Sequence, residues 1–156
     1  MRTILAKLVV TVAITALGAF AADNTIGTWK LNMAKSKFNP APGPVKSLAS
    51  TREASDGGVK VSTTGEQADG APIKSSYSAK YDGKENSVTG NAPYDKIAIK
   101  QVNANTLTAT LKKSDGKYRA TGRTVVSKDA KTMTTTTRGT NADGKAFTNV
   151  MVYDKQ

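Results

Sequence analysis

Glycine-bearing reversals recur along this chain at near-constant intervals, and that rhythm limits the fold more than any other feature. Asp56-Gly57, Asp69-Gly70 and Asp82-Gly83 fall thirteen residues apart, and Asp115-Gly116, Asp129-Ala130 and Asp143-Gly144 fall fourteen apart. Asp-Gly supplies the positive φ that a tight reversal between antiparallel strands requires. Two further breaks, Thr89-Gly90-Asn91-Ala92-Pro93 and Asn103-Ala104-Asn105, fill the gap between the triplets. Each interval leaves roughly 10 residues of strand, about 33 Å at 3.3 Å per residue, which is long for a sandwich.

Between the turns the pattern alternates with period two. Ile73, Ser75, Tyr77, Ala79 and Tyr81 share one face, and Lys74, Ser76, Ser78 and Lys80 take the other. Leu107, Ala109 and Leu111 alternate with Thr106, Thr108 and Thr110 in the same way, and Phe147, Met151 and Tyr153 share a face near the C-terminus. Such alternation describes strands with one buried and one wet side. Eighteen threonines after residue 21 add β-propensity. The pattern predicts an all-β protein, an antiparallel up-and-down barrel of about 8–10 strands in meander order, with closure removing exposed edges. Met33 to Pro44 is the exception, because Pro40, Pro42 and Pro44 forbid a continuous helix. At most one helical turn fits at Met33 to Phe38, within an ordered loop or partial lid.

The first residues read differently. Met1 to Lys7 carries two positive charges and Leu8 to Phe20 is an apolar run without a charge, the pattern of a secretory signal peptide. Thirteen apolar residues fall short of the roughly 20 needed to span a bilayer. Cleavage is expected between Ala21 and Ala22, leaving residues 22–156 as one domain, secreted or periplasmic. No Cys follows the run, so there is no acylation site.

The alphabet removes several chemistries. With no Cys and no His, the chain can build no disulfide, no thiol nucleophile, no imidazole or thiolate metal site and no Ser-His-Asp triad. Glu53, Glu66 and Glu85 show no recognisable pairing, and no phosphate or calcium loop is present. A non-enzyme without metal or cofactor is expected. Removing Arg2 and Lys7 lowers the net charge from +11 to +9. The excess is spread thinly, Lys112-Lys113 being the only basic pair, and aromatic residues are not interleaved with it. Nucleic acid is not an expected partner, whereas contact with anionic surfaces or ligands fits.

Three short segments carry a resemblance. Ile26-Gly27-Thr28-Trp29-Lys30-Leu31 resembles the opening strand of calycins, the group uniting lipocalins and fatty-acid-binding proteins, with Gly27 and Trp29 as its signature. Val150-Met151-Val152-Tyr153-Asp154-Lys155 resembles the last strand of the fatty-acid-binding proteins, and Asp115-Gly116-Lys117 followed by Arg123 has the spacing of their strand with an inward Arg. The chain also resembles small secreted bacterial proteins with a lipocalin-like domain. The resemblance implies that Trp29 seals one barrel end, its indole covered by a cation such as Arg138. It implies that Arg123 and Tyr153 hold a ligand carboxylate, with Met151 standing where the family has a second Arg.

Arg119, four residues before Arg123, shares its face. That face is either cavity or solvent, since Tyr118, Ala120, Gly122, Thr124 and Val126 make a more apolar opposite face. Phe147, Met151, Tyr77 and Tyr81 are candidates to line the interior, or to fill it as core. Thr132 to Thr137 places hydroxyls on both faces, as a polar cavity or a rim strand would. The expected protein is a monomeric, exported carrier of a small hydrophobic or amphipathic, anionic ligand. The alternative is a filled barrel whose basic surface meets an anionic envelope polymer or a partner protein.

Overall fold

A computed structural model describes residues 22–156, so the expected signal peptide at 1–21 lies outside the described residues. Eleven strands form one antiparallel sheet: β1 (Gly27–Leu31), β2 (Lys37–Asn39), β3 (Val45–Ser55), β4 (Gly58–Gln67), β5 (Pro72–Lys80), β6 (Asp82–Gly90), β7 (Lys96–Asn103), β8 (Thr106–Lys112), β9 (Arg119–Val126), β10 (Thr132–Thr140) and β11 (Ala146–Lys155). From β3 to β11 neighbours in sequence are neighbours in the sheet, and β1 pairs with both β3 and β11, closing the barrel. β2 pairs with the upstream part of β11, Val150 opposite Lys37, beyond the stretch that β1 occupies. β1 and β2 are thus one wall strand with a break, and the barrel is ten-stranded.

The break has a local cause. A 3-10 turn at Met33–Lys35 is capped by the Asn32 side chain, which accepts from the Lys35 N–H. Ser36 Oγ accepts the Val152 N–H at 3.0 Å and donates to the Asn32 carbonyl at 2.7 Å, standing in for the missing ladder bonds. Asn32 Nδ2 donates to Asp154 at 2.7 Å, and this bond, followed by that of Lys35, holds the Asp154 carboxyl below its ordinary value. The short helical turn expected at Met33 to Phe38 is this one.

The turn series is realised in five of its six members. Gly57, Gly70, Gly83 and Gly144 have positive φ, and so does Ala130 at +56°, where Asp129-Ala130 takes the place of Asp-Gly. Ser127, Asp129 and the Lys131 N–H form a hydrogen-bonded knot around Ala130, and such local bonding offsets part of the cost of a left-handed alanine. Gly116 does not have positive φ.

Inward side chains make two apolar clusters. Val59, Val61, Ala79, Ile97, Ile99 and Leu107 form one, with Tyr77, Val88 and Tyr94 packed against it. Trp29, Leu31, Val126, Met133 and Tyr153 form the other, with Leu48 and Met151 against it. The alternation read at Ile73 to Tyr81 and at Leu107 to Leu111 gives the inward faces of β5 and β8.

One end of the barrel is sealed by the segment 22–26. Asn24 N donates to the Ala104 carbonyl at 2.8 Å and Asn24 Nδ2 to Asn105 Oδ1 at 3.0 Å, while Gln101 Nε2 donates to the Ala22 carbonyl. Trp29 is wholly buried above this plug, its Nε1 donating to the Thr25 carbonyl at 2.8 Å. Its indole face is covered by Lys155, whose Nζ lies 5.1 Å from the ring centroid. Gly27, at φ +131°, leaves room for that lysine: a Cβ there would meet Lys155 Cε at 2.9 Å. The cation expected over Trp29 was Arg138, and this is corrected. Arg138 sits on the outer face of β10, in register with Thr121 and Thr148.

Candidate functional site

β3 lies between the two apolar clusters, and two of its inward positions, Ser50 and Arg52, are polar. Ser50 faces Trp29 on one side and Thr63 on the other, and Arg52 faces Gly27 and Val61. Both are buried, Arg52 to 8% exposure. A guanidinium is permanently charged and carries five N–H donors. Arg52 has no carboxylate partner among the described residues, and its buried Nε has no hydrogen-bond partner there either.

Phenols surround this charge. Burial pushes the Tyr153 phenol up to about 12, against the pull of the Arg52 charge. Burial also raises Tyr81 and Tyr94, and Arg52 again acts in the opposite direction on each. Tyr81 donates its hydroxyl proton to Asp23 of the plug, which in turn accepts from Thr25 N at 2.9 Å. Tyr81 lies between β5 and β6, Tyr94 between β6 and β7, and Tyr153 on β11, so the Arg52 charge acts on phenols from three parts of the chain. Beyond it, Tyr94, Tyr118 and Phe147 stack in series at 5.9 and 5.7 Å between centroids, near the end opposite the plug.

Tyr77, Tyr94, Phe147 and Met151 are only half-buried although they face inward. Thr124 Oγ1 and Thr135 Oγ1 lie 3.0 Å apart on the inner wall, so the threonine run of β10 gives the lining a polar stripe. The wall itself is thinnest between β5 and β6, where only Ser75–Tyr77 pair with Val88–Gly90.

The expected residues are distributed as follows. Tyr77, Tyr81, Phe147, Met151 and Tyr153 face the interior. Arg119 and Arg123 do not, and their expected inward placement is corrected: both are exposed on the outer face of β9. Inward positions of β9 are Ala120, Gly122, Thr124 and Val126, fixed by pairing with Leu111, Ala109 and Leu107 on β8 and with Met133 on β10. Arg52 escaped the sequence reading, and its only signal is parity, since it alternates with Leu48, Ser50 and Ala54 in a strand polar on both faces.

No protein-family model matches the chain, and no curated protein matches it by sequence. Among solved structures, zebrafish ileal bile acid-binding protein complexed with cholic acid superposes with TM-score 0.51 and 12% identity, over 86% of this chain and 100% of that chain. The fold is the calycin fold. EF1p2_mFAP2b bound to DFHBI also matches, with TM-score 0.48 and 13% identity over 85% of this chain and 94% of that chain. Within this barrel the one buried, unpartnered cation among the described residues is Arg52.

Proposed function

We propose that this protein is an exported, monomeric calycin that carries a small amphipathic anion inside its barrel, with Arg52 as the anchor for the ligand's charged head. The observation that carries this reading is the Arg52 guanidinium, buried without a counter-ion. Such a charge is costly unless paired, and an anionic ligand would supply the missing partner through charge-assisted hydrogen bonds. Tyr153 and Tyr94 would add phenolic donors, because burial keeps both protonated far above neutral pH. Met151, Phe147 and Tyr77 would bury the apolar part, at about 0.8 kcal/mol per methylene. A barrel of the same fold holds cholic acid, itself an amphipathic carboxylic acid. Export rests on the charged and apolar leader at residues 1–20. Binding needs neither a cofactor nor a reacting group.

The test uses a dansyl-tagged fatty acid and the matching dansyl-tagged fatty alcohol. Wild type should prefer the acid, and Arg52→Met should lose that preference, weakening acid binding by about 1.5–3 kcal/mol. The same substitution should raise the stability of the empty protein by about 1–4 kcal/mol, since it replaces an uncompensated buried charge with apolar volume. Equal affinity of wild type for acid and alcohol would sink the proposal. So would an acid preference that survives in Arg52→Met.

A further inference from the structure

The outer face of β7 to β10 concentrates positive charge that the interior site does not use. Lys96 lies opposite Lys112, and Lys112 opposite Arg119, so three cations stand side by side across three strands. Two residues further along each strand come Ala98, Thr110, Thr121 and Arg138, and two further again Lys100, Thr108, Arg123 and Thr136. At about 3.3 Å per residue the first and third rows are about 13 Å apart. The short side chains of the middle row form a floor between them. The result is a groove of about 720 Å³ lined by Lys100, Arg123 and Arg138, continuous through Thr110, Thr121 and Arg138 with a second of about 390 Å³.

Six cations line the two grooves against one acid, Glu85, which pairs with Lys112, while Asp82 lies in register with Lys100 at the edge without an ion pair to it. Like charges set directly opposite one another destabilise a sheet, and an external polyanion would relieve that repulsion. Arg119 is held in place, its Nη1 donating to the carbonyls of Lys113, Gly116 and Tyr118. Arg123 and Arg138 have no ion-pair partner among the described residues. The threonines of the two lower rows offer hydroxyls along the groove. No aromatic side chain lines it, so it lacks the stacking platforms on which single-stranded nucleic acids are bound. Val102 and Val125, the next outward positions on β7 and β9, are exposed but lie outside the groove lining.

We propose that this groove binds a linear acidic polysaccharide, its carboxylates engaging Arg123, Arg138 and Lys100 and its hydroxyls the threonine floor. The proposal is independent of the interior site. The experiment is calorimetric titration of the protein with a polygalacturonate oligomer and with its methyl-esterified, neutral counterpart. Only the acidic oligomer should bind, and binding should weaken steeply with added salt. Arg123→Gln with Arg138→Gln should weaken it roughly tenfold or more. Lys60→Gln with Lys74→Gln removes the same charge from the outer face of β4 and β5 and should change it far less. Uptake of the dansyl-tagged fatty acid should stay unchanged in both double variants, which also reports that each is folded. Equal losses from the two double variants would overturn the proposal by showing diffuse charge attraction. Tighter binding of a single-stranded oligonucleotide or of anionic lipid vesicles than of the oligomer would overturn it as well.

Discussion

The two ends of the barrel are closed by different means. At the plugged end a backbone segment, residues 22–26, is fixed by hydrogen bonds to the β7–β8 turn and roofed by Trp29, which is wholly buried. At the opposite end the closure consists of side chains, Tyr94 against Tyr118 and Tyr118 against Phe147. A hydrogen-bonded backbone plug cannot move without orphaning its donors and acceptors, and each orphan costs about 1–3 kcal/mol. A rotating aromatic side chain orphans nothing. The contrast concentrates rigidity at the plugged end and predicts that exchange with solvent runs through the aromatic end.

Trp29→Ala is the most damaging test of that contrast. It empties a large buried site and leaves the Thr25 carbonyl without its donor, at an expected cost of about 3–5 kcal/mol. The shift in the denaturant midpoint reads it directly. A loss no larger than that of an aromatic substitution at the other end would break the comparison.

Alkaline titration gives the next largest effect. Burial pushes the phenols of Tyr118 and Tyr153 up to about 12 from the ordinary 10.0. Between pH 10 and 12 the unfolded chain therefore releases protons that the native protein keeps. Stability is fully present below pH 10 and falls as pH rises through this window, by on the order of 2–3 kcal/mol per phenol. Tyr81, at the plugged end, is raised further by burial and by its hydrogen bond to Asp23. Phenolate absorbance should accordingly show Tyr118 ionising before Tyr81, with Tyr118→Phe removing amplitude near pH 12. Ionisation of both Tyr81 and Tyr118 at the ordinary value would mean that neither end is closed.

How much of this was legible depended on how strongly each strand's two faces differ in chemistry. β5 and β8 set Ile, Tyr and Leu against Lys, Ser and Thr, so their inward faces could be read directly. β9 sets Ala120, Gly122 and Thr124 against Arg119, Thr121 and Arg123, and residues so small carry little hydrophobic signal. The decision was made by Leu107, Leu111 and Met133 on neighbouring strands, which sequence order alone does not align. β3 is harder still. Ser50, Thr51, Arg52 and Glu53 are polar on both faces, and Arg52 is buried only because Gly27, Val61 and the surrounding tyrosines enclose it. The antiparallel barrel was visible because turns and alternation are local. The buried Arg52 was hidden because a buried charge is a property of its neighbours.

Phe147→Ala is the smallest of the expected effects and the most specific to the aromatic end. Phe147 is half-buried and stacks on Tyr118 alone, so its truncation should cost about 0.5–1.5 kcal/mol of pair energy and modest burial. The wall, the plug and Arg52 stay in place, so preference for the dansyl-tagged acid over the alcohol should persist. What should change is the rate. Stopped-flow displacement of the bound acid should accelerate several-fold, because the last ring of the stack no longer has to swing aside. An unchanged rate would move the route of entry to the thin wall between β5 and β6, where Ser78–Lys80 pair with β4 but make no ladder with β6.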